Sequence, residues 1–287
     1  MHVRDYARSI VLGDTLEHKL APPPDGLELG DELSSPSSPS SPSSSSSPSS
    51  SSTTPLRIAA PRRPANLAIV PGRSAKVPPL AGMRDPAQRA RILHALANHE
   101  LQAIELFAWA VLAYPDTPTA FKRGCIAILA DEQRHLELYR ARLAAHGVAF
   151  GDLPVTGHFW NKLDHLTGPL EFVCAMGLTF ENANLDFAGD YAIAARACGD
   201  IATAEALERV HADEIRHVHF GYVWLKRFAP DADPWTAYNA HVQFPLGPRR
   251  ARGARFDREA RARAGLDEAF IDALAAIEPT RPSGEPR

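Results

Sequence analysis

Apolar residues recur at helical spacing along much of the chain, and the breaks in that pattern mark the elements. Ile92, Leu93, Leu96, Leu101, Ile104, Phe107 and Val111 have the period of a helix with one buried face. Asp85 can cap that helix, Pro86 suits its first position, and Tyr114-Pro115 ends it. A second helix is predicted from about Thr117-Pro118 to His146-Gly147, where glycine supplies the stop. A connection punctuated by Pro and Gly fills 148–168. A third helix is expected from Pro169 to Cys198-Gly199, and a fourth from Asp200 to Phe228-Ala229-Pro230.

The first and third connections are short, so each joins an antiparallel pair. The second is long enough to cross over. The expected fold is therefore all-α: a ferritin-like four-helix bundle with one long crossover between helix 2 and helix 3. Patterns outside the bundle are weaker. Val3, Ala7, Ile10 and Val11 fit a short helix, and Asp14-Thr15-Leu16-Glu17 has the spacing of a capping box. From Ser34 to Thr54 the chain holds only 15 Ser, 4 Pro and 2 Thr, a composition expected to form a disordered linker. Residues 55–83 are rich in Pro and Gly and read as an extended arm. Leu266, Phe270, Leu274 and Ile277 form one apolar stripe in the tail, a helix expected to dock on the bundle. The expected organisation is a short helical segment (1–33), the linker (34–54), the arm (55–83), the bundle (84–228) and a basic and helical C-terminal extension (229–287).

Composition limits the function only loosely. The 287 residues are 45 % hydrophobic and 23 % charged, with a formal net charge of −3. That balance gives no general case for nucleic acid or membrane binding. Residues 249–263 are the local exception, with seven Arg against Asp257 and Glu259; they read as a solvated or docking segment, with phosphate binding as the alternative. Cys125, Cys174 and Cys198 form no C-x-x-C pair, so neither a zinc knuckle nor a rubredoxin-type iron site is expected. An odd number of thiols, no secretory leader and no apolar run of about 18 residues suggest a cytoplasmic protein without a membrane span.

Chemistry enters with an internal repeat. Asp131-Glu132-Gln133-Arg134-His135 and Asp213-Glu214-Ile215-Arg216-His217 both read D-E-x-R-H. Positions i and i+3 share a helix face, so Glu132 with His135, and Glu214 with His217, can each bind a metal. Carboxylate-bridged di-metal bundles add one Glu from each of the two other helices. Glu100 lies 32 residues before Glu132, and Glu181 lies 33 before Glu214. The two halves therefore match at an offset of 81 to 82 residues. Four carboxylates in apolar stripes need cationic partners. The mixed oxygen and nitrogen donors suit two iron ions, one or both replaceable by manganese. Asp131 and Asp213 are candidates to hold the outer nitrogens of the two His, with Arg134 and Arg216 steadying them. Glu105 and His211 are further candidates near the site, although Glu105 is turned about 140° from Glu100. His94, His99 and His219 read as ordinary polar or packing residues, and Glu208/His211 as a solvated E-x-x-H match.

The segment 97–106 (ANHELQAIEL), the two D-E-x-R-H motifs and the segment 178–184 (LTFENAN) resemble the ferritin-like family known as domain of unknown function 455. That family is itself similar to the MiaE-type tRNA hydroxylases, which are non-haem di-iron monooxygenases. The resemblance implies a di-iron site at Glu100, Glu132, His135, Glu181, Glu214 and His217. The expected function is an O2-dependent oxidoreductase of monooxygenase type, with dioxygen as co-substrate and an external reductase as electron donor. Its substrate would be a small molecule or a modified nucleoside. The alternatives are an iron-oxidising or peroxide-reducing protein of the ferritin and rubrerythrin kind, and a metal-free helical interaction module.

Overall fold

The first elements of the chain are two short helices, α1 (Val3–Leu12) and α2 (Leu16–Leu20). The cap of α2 is Thr15, whose hydroxyl accepts from the His18 amide, rather than Asp14. In this computed structural model the described residues are 1–30, 54–71, 75–243 and 245–279. The Ser/Pro run expected as a linker lies outside them, apart from Thr54.

Two long helices follow, α3 (Pro86–Ala113) and α4 (Thr119–Ala145). Asp85 caps α3 as its sequence predicts, accepting from the Gln88 amide at 2.8 Å. The third long helix is continuous but not uniform. It consists of α5 (Pro169–Ala175), a π-helical turn over Met176–Glu181, and α6 (Asn182–Ala197). The wider turn has a local cause. The Thr179 hydroxyl donates to the Cys174 carbonyl five residues back, at 2.9 Å. Helix α7 (Ile201–Phe228) completes the bundle, and α3 packs on α4 as α6 packs on α7.

Hydrogen bonds fix the direction of the crossover. It meets α3 first at His94, through the Gly151 amide, then at Asn98 through the Thr156 carbonyl. It then meets Gln102 through the Phe159 amide, and the Tyr114 hydroxyl through the Leu166 carbonyl. The crossover thus travels the length of α3, and α5 starts at the same end of the bundle as α4. The other end is knotted by Asp200. Its carboxylate caps α7 and receives Arg89 of α3 at 2.9 Å, with Arg142 at 3.2 Å and the His146 ring at 3.1 Å at the end of α4.

Arm and termini are built onto this frame. The arm lies along α3: the Trp109 indole donates to the Ile58 carbonyl, and β1 (Ile69–Val70) pairs in parallel with β2 (Val155–Thr156) of the crossover. Helices α8 (Pro234–His241), α9 (Arg258–Arg263) and α10 (Glu268–Ala275) close a second core, where Phe270 and Leu274 pack with Tyr222 and Tyr238. Within the Arg-rich segment, Arg261 is fully buried and grips Asp186 with two nitrogens at 2.8 and 2.9 Å. No helix among the described residues is long and apolar enough to cross a membrane.

Candidate metal centre

The bundle brings the six repeat-related residues to one place. Glu100 comes from α3, Glu132 and His135 from α4, Glu181 from the end of the π turn, and Glu214 and His217 from α7. All are buried, none more than 6 % exposed. Their ligand atoms form two groups, each within a 4.8 Å span: Glu100, Glu132, His135 and Glu214, and then Glu132, Glu181, Glu214 and His217. Glu132 and Glu214 belong to both. His217 Nδ1 lies 3.0 Å from Glu132 and 2.9 Å from Glu214, while His135 Nδ1 lies 3.4 Å from Glu132 and 3.6 Å from Glu100.

The outer nitrogens are held across the helices rather than along them. His135 Nε2 of α4 meets Asp213 of α7 at 3.2 Å, and His217 Nε2 of α7 meets Asp131 of α4 at 3.2 Å. An ionised carboxylate only accepts, so each Nε2 carries a proton and a neutral ring keeps its Nδ1 lone pair for the cluster. At the outer surface Arg216 bonds both Asp131 and Asp213, and Arg134 pairs with Asp131. Burial pushes Asp131 up, but His217 and the two guanidinium groups outweigh it and hold the carboxyl at about 2.

The donors also fit metal ions electrostatically. Burial pushes Glu100 and Glu181 well above the usual carboxylate range, and the neighbouring Glu132 and Glu214 push them further. Burial opposes charge on both imidazoles, yet the surrounding carboxylates lift His135 and His217 well above the usual range. Glu132 Oε1 and His135 Nδ1 are buried with no partner in hydrogen-bonding geometry. Orphaned polar atoms of this kind are rare in native interiors and ask for a cation. Oxygen and imidazole donors without thiolate suit iron or manganese.

Two other candidates are placed elsewhere. Glu105 does not reach the cluster: it binds Lys19 at 3.1 Å, Arg63 at 2.6 Å and the Trp160 indole at 2.8 Å. The five-residue offset from Glu100 turns it to the face of α3 that the N-terminal segment and arm cover. His211 bonds Asp257 at 3.2 Å and belongs to neither ligand group. His94 and His219 are bonded to backbone atoms of Gly151 and Ala264. Two neighbours of the cluster were not foreseen. Asn184 donates to Glu214 at 2.8 Å; its position three residues after Glu181 was the available signal. The buried Tyr139 phenol is pushed well up by burial and then by Glu100, Glu214 and Glu132.

Fold and cluster together define a class, an all-α bundle with a buried carboxylate–imidazole set able to hold metal ions. The chain belongs to the family described as protein of unknown function DUF455, whose signature matches residues 32–272. No curated protein and no solved structure matches it.

Proposed function

We propose that this protein is a di-metal oxidoreductase, an O2-dependent monooxygenase using two iron ions, one or both replaceable by manganese. The observation that carries the reading is the overlap of two ligand groups through Glu132 and Glu214. Glu100, Glu132, Glu181, Glu214, His135 and His217 would hold the pair, with Glu132 and Glu214 common to both groups and each imidazole free to offer Nδ1. Two ferrous ions bound there would supply electrons for the reduction of dioxygen. The chain's own contribution is to orient both imidazoles through Asp131 and Asp213, and to keep the cluster in an apolar core away from bulk water. The likeness of the ligand motifs to those of MiaE-type hydroxylases supports the same class. A reductase partner would renew the electrons.

Metal analysis of the full-length protein tests this. About two metal ions per chain are expected after anaerobic Fe(II) reconstitution, falling to one or none in Glu132→Ala and His217→Ala. Fewer than about one ion per wild-type chain would overturn the reading. A shell of many subunits in a sizing experiment would favour iron storage instead.

A further inference from the structure

Helix α3, the arm and the crossover surround a cavity of about 200 Å³. Its walls are fastened to one another. The arm pairs with the crossover through β1 and β2, the Asn98 amide donates to the Thr156 carbonyl at 3.0 Å, and the Arg91 guanidinium donates to the Lys76 carbonyl at 2.9 Å. The cavity is therefore part of the fold. Its volume suits a guest of about eight non-hydrogen atoms, since an engineered apolar cavity of about 150 Å³ takes up benzene.

The lining is uneven in a useful way. Ala95, Leu153 and Val155 give it an apolar wall, and His99 lines it as well. Lys76 and Arg91, both exposed, stand at its outer edge, and no acidic residue lines it. One donor is left over on the inner side. His94 is 2 % exposed and accepts the Gly151 amide at Nε2, at 3.0 Å. A ring nitrogen that accepts carries no proton, so the proton of His94 sits on Nδ1. That N–H has no partner among the described residues, and polar groups this far inside a protein are rarely left so. Arg91 and His94 are three residues apart, which makes them neighbours on one face of α3. Arg91 keeps further N–H groups after bonding Lys76, and its planar fork fits a planar carboxylate. A water molecule would satisfy His94 alone and leave both cations without a counter-charge.

We propose that this cavity binds a small carboxylic acid as its anion, the carboxylate between Arg91 and His94 and a short hydrocarbon body against Ala95, Leu153 and Val155. The site stands apart from the metal centre, because none of the six candidate ligands lines it.

The test is calorimetric titration of the full-length protein with hexanoate, whose size matches the cavity. Hexan-1-ol lacks the charge, hexylamine reverses it, and acetate lacks the body. Hexanoate should bind at least about tenfold tighter than each of these. Arg91→Gln and His94→Phe should each weaken it about tenfold, the second keeping a ring but losing the Nδ1 donor. Ala95→Leu should fill the cavity and abolish binding, with circular dichroism unchanged. Arg196→Gln, at a surface pair with Glu208, should bind as wild type. Hexan-1-ol binding as tightly as hexanoate overturns the proposal, as does tighter binding of hexyl phosphate. Wild-type affinity for hexanoate in both Arg91→Gln and a folded Ala95→Leu overturns it too, as does the absence of any hexanoate binding to the wild-type chain.

Discussion

Protons stand in for cations when Glu100, Glu132, Glu181 and Glu214 share one core with two imidazoles. The raised carboxyls of Glu100 and Glu181 and the raised imidazoles of His135 and His217 all favour protonation in the folded, metal-free chain. For each, the folded value lies above the unfolded one, so its stabilisation is full at low pH and is lost as pH rises through the folded value. The lowered Glu132 works in the opposite sense, losing its contribution as pH falls. Glu132 titrates below the range from pH 6 to pH 8. His94, His99 and His158, lowered by burial, oppose the raised groups near pH 6. But an unfolded imidazole has lost most of its proton by about pH 7, so the metal-free protein should melt at a lower temperature at pH 8 than at pH 6. Metal displaces those protons, so the gain in Tm on adding Fe(II) or Mn(II) should be larger at pH 8. Differential scanning calorimetry at the two pH values checks both signs. Glu132, His135, Glu214 and His217 were legible as candidates because E-x-x-H is a local pattern on one helix face, and Glu100 and Glu181 because the two halves share one offset. The exchange of Asp131 and Asp213 between the halves was not, because α4 and α7 meet only in the folded bundle.

Elements show the same division between local and distant causes. Helix ends were readable where a cap or breaker marked them, as at Asp85 and Gly147. The π turn before Glu181 was not, since a threonine in a helix carries no mark of whether its hydroxyl will bond the carbonyl five residues back. There Gly177 and Gly221 bring two helices into contact: a Cβ on Gly177 would sit 2.7 Å from the Gly221 Cα. In an open helix Gly→Ala stabilises by roughly 0.5–1 kcal/mol. Here overpacking should dominate, and Gly177→Ala should cost about 1–3 kcal/mol. Chemical denaturation measures that loss. The same variant should bind metal less tightly, because Gly177 lies in the π turn that Glu181 ends.

Across the whole molecule, the segments flanking the bundle are structural parts of it. Lys19 is fully buried, donating to the Ile10 and Val11 carbonyls at 2.7 and 2.9 Å as well as meeting Glu105. Arg63 of the arm reaches the same carboxylate, so Glu105 fastens the N-terminal helices and the arm to α3 at once. Glu105→Leu should leave two buried cations without their partner and cost about 3–5 kcal/mol. Metal content per folded chain should stay at the wild-type level, a combination that separates a fastener from a ligand and is read from a melting curve beside metal analysis. The crossed pairs at the metal centre reach further still. Each hairpin carries the imidazole of one half and the carboxylate that steadies the other, so neither is sufficient alone. During synthesis, the first hairpin leaves the ribosome with His135 but without Asp213. A growing chain therefore offers passing metal no finished trap until its final long helix has been made.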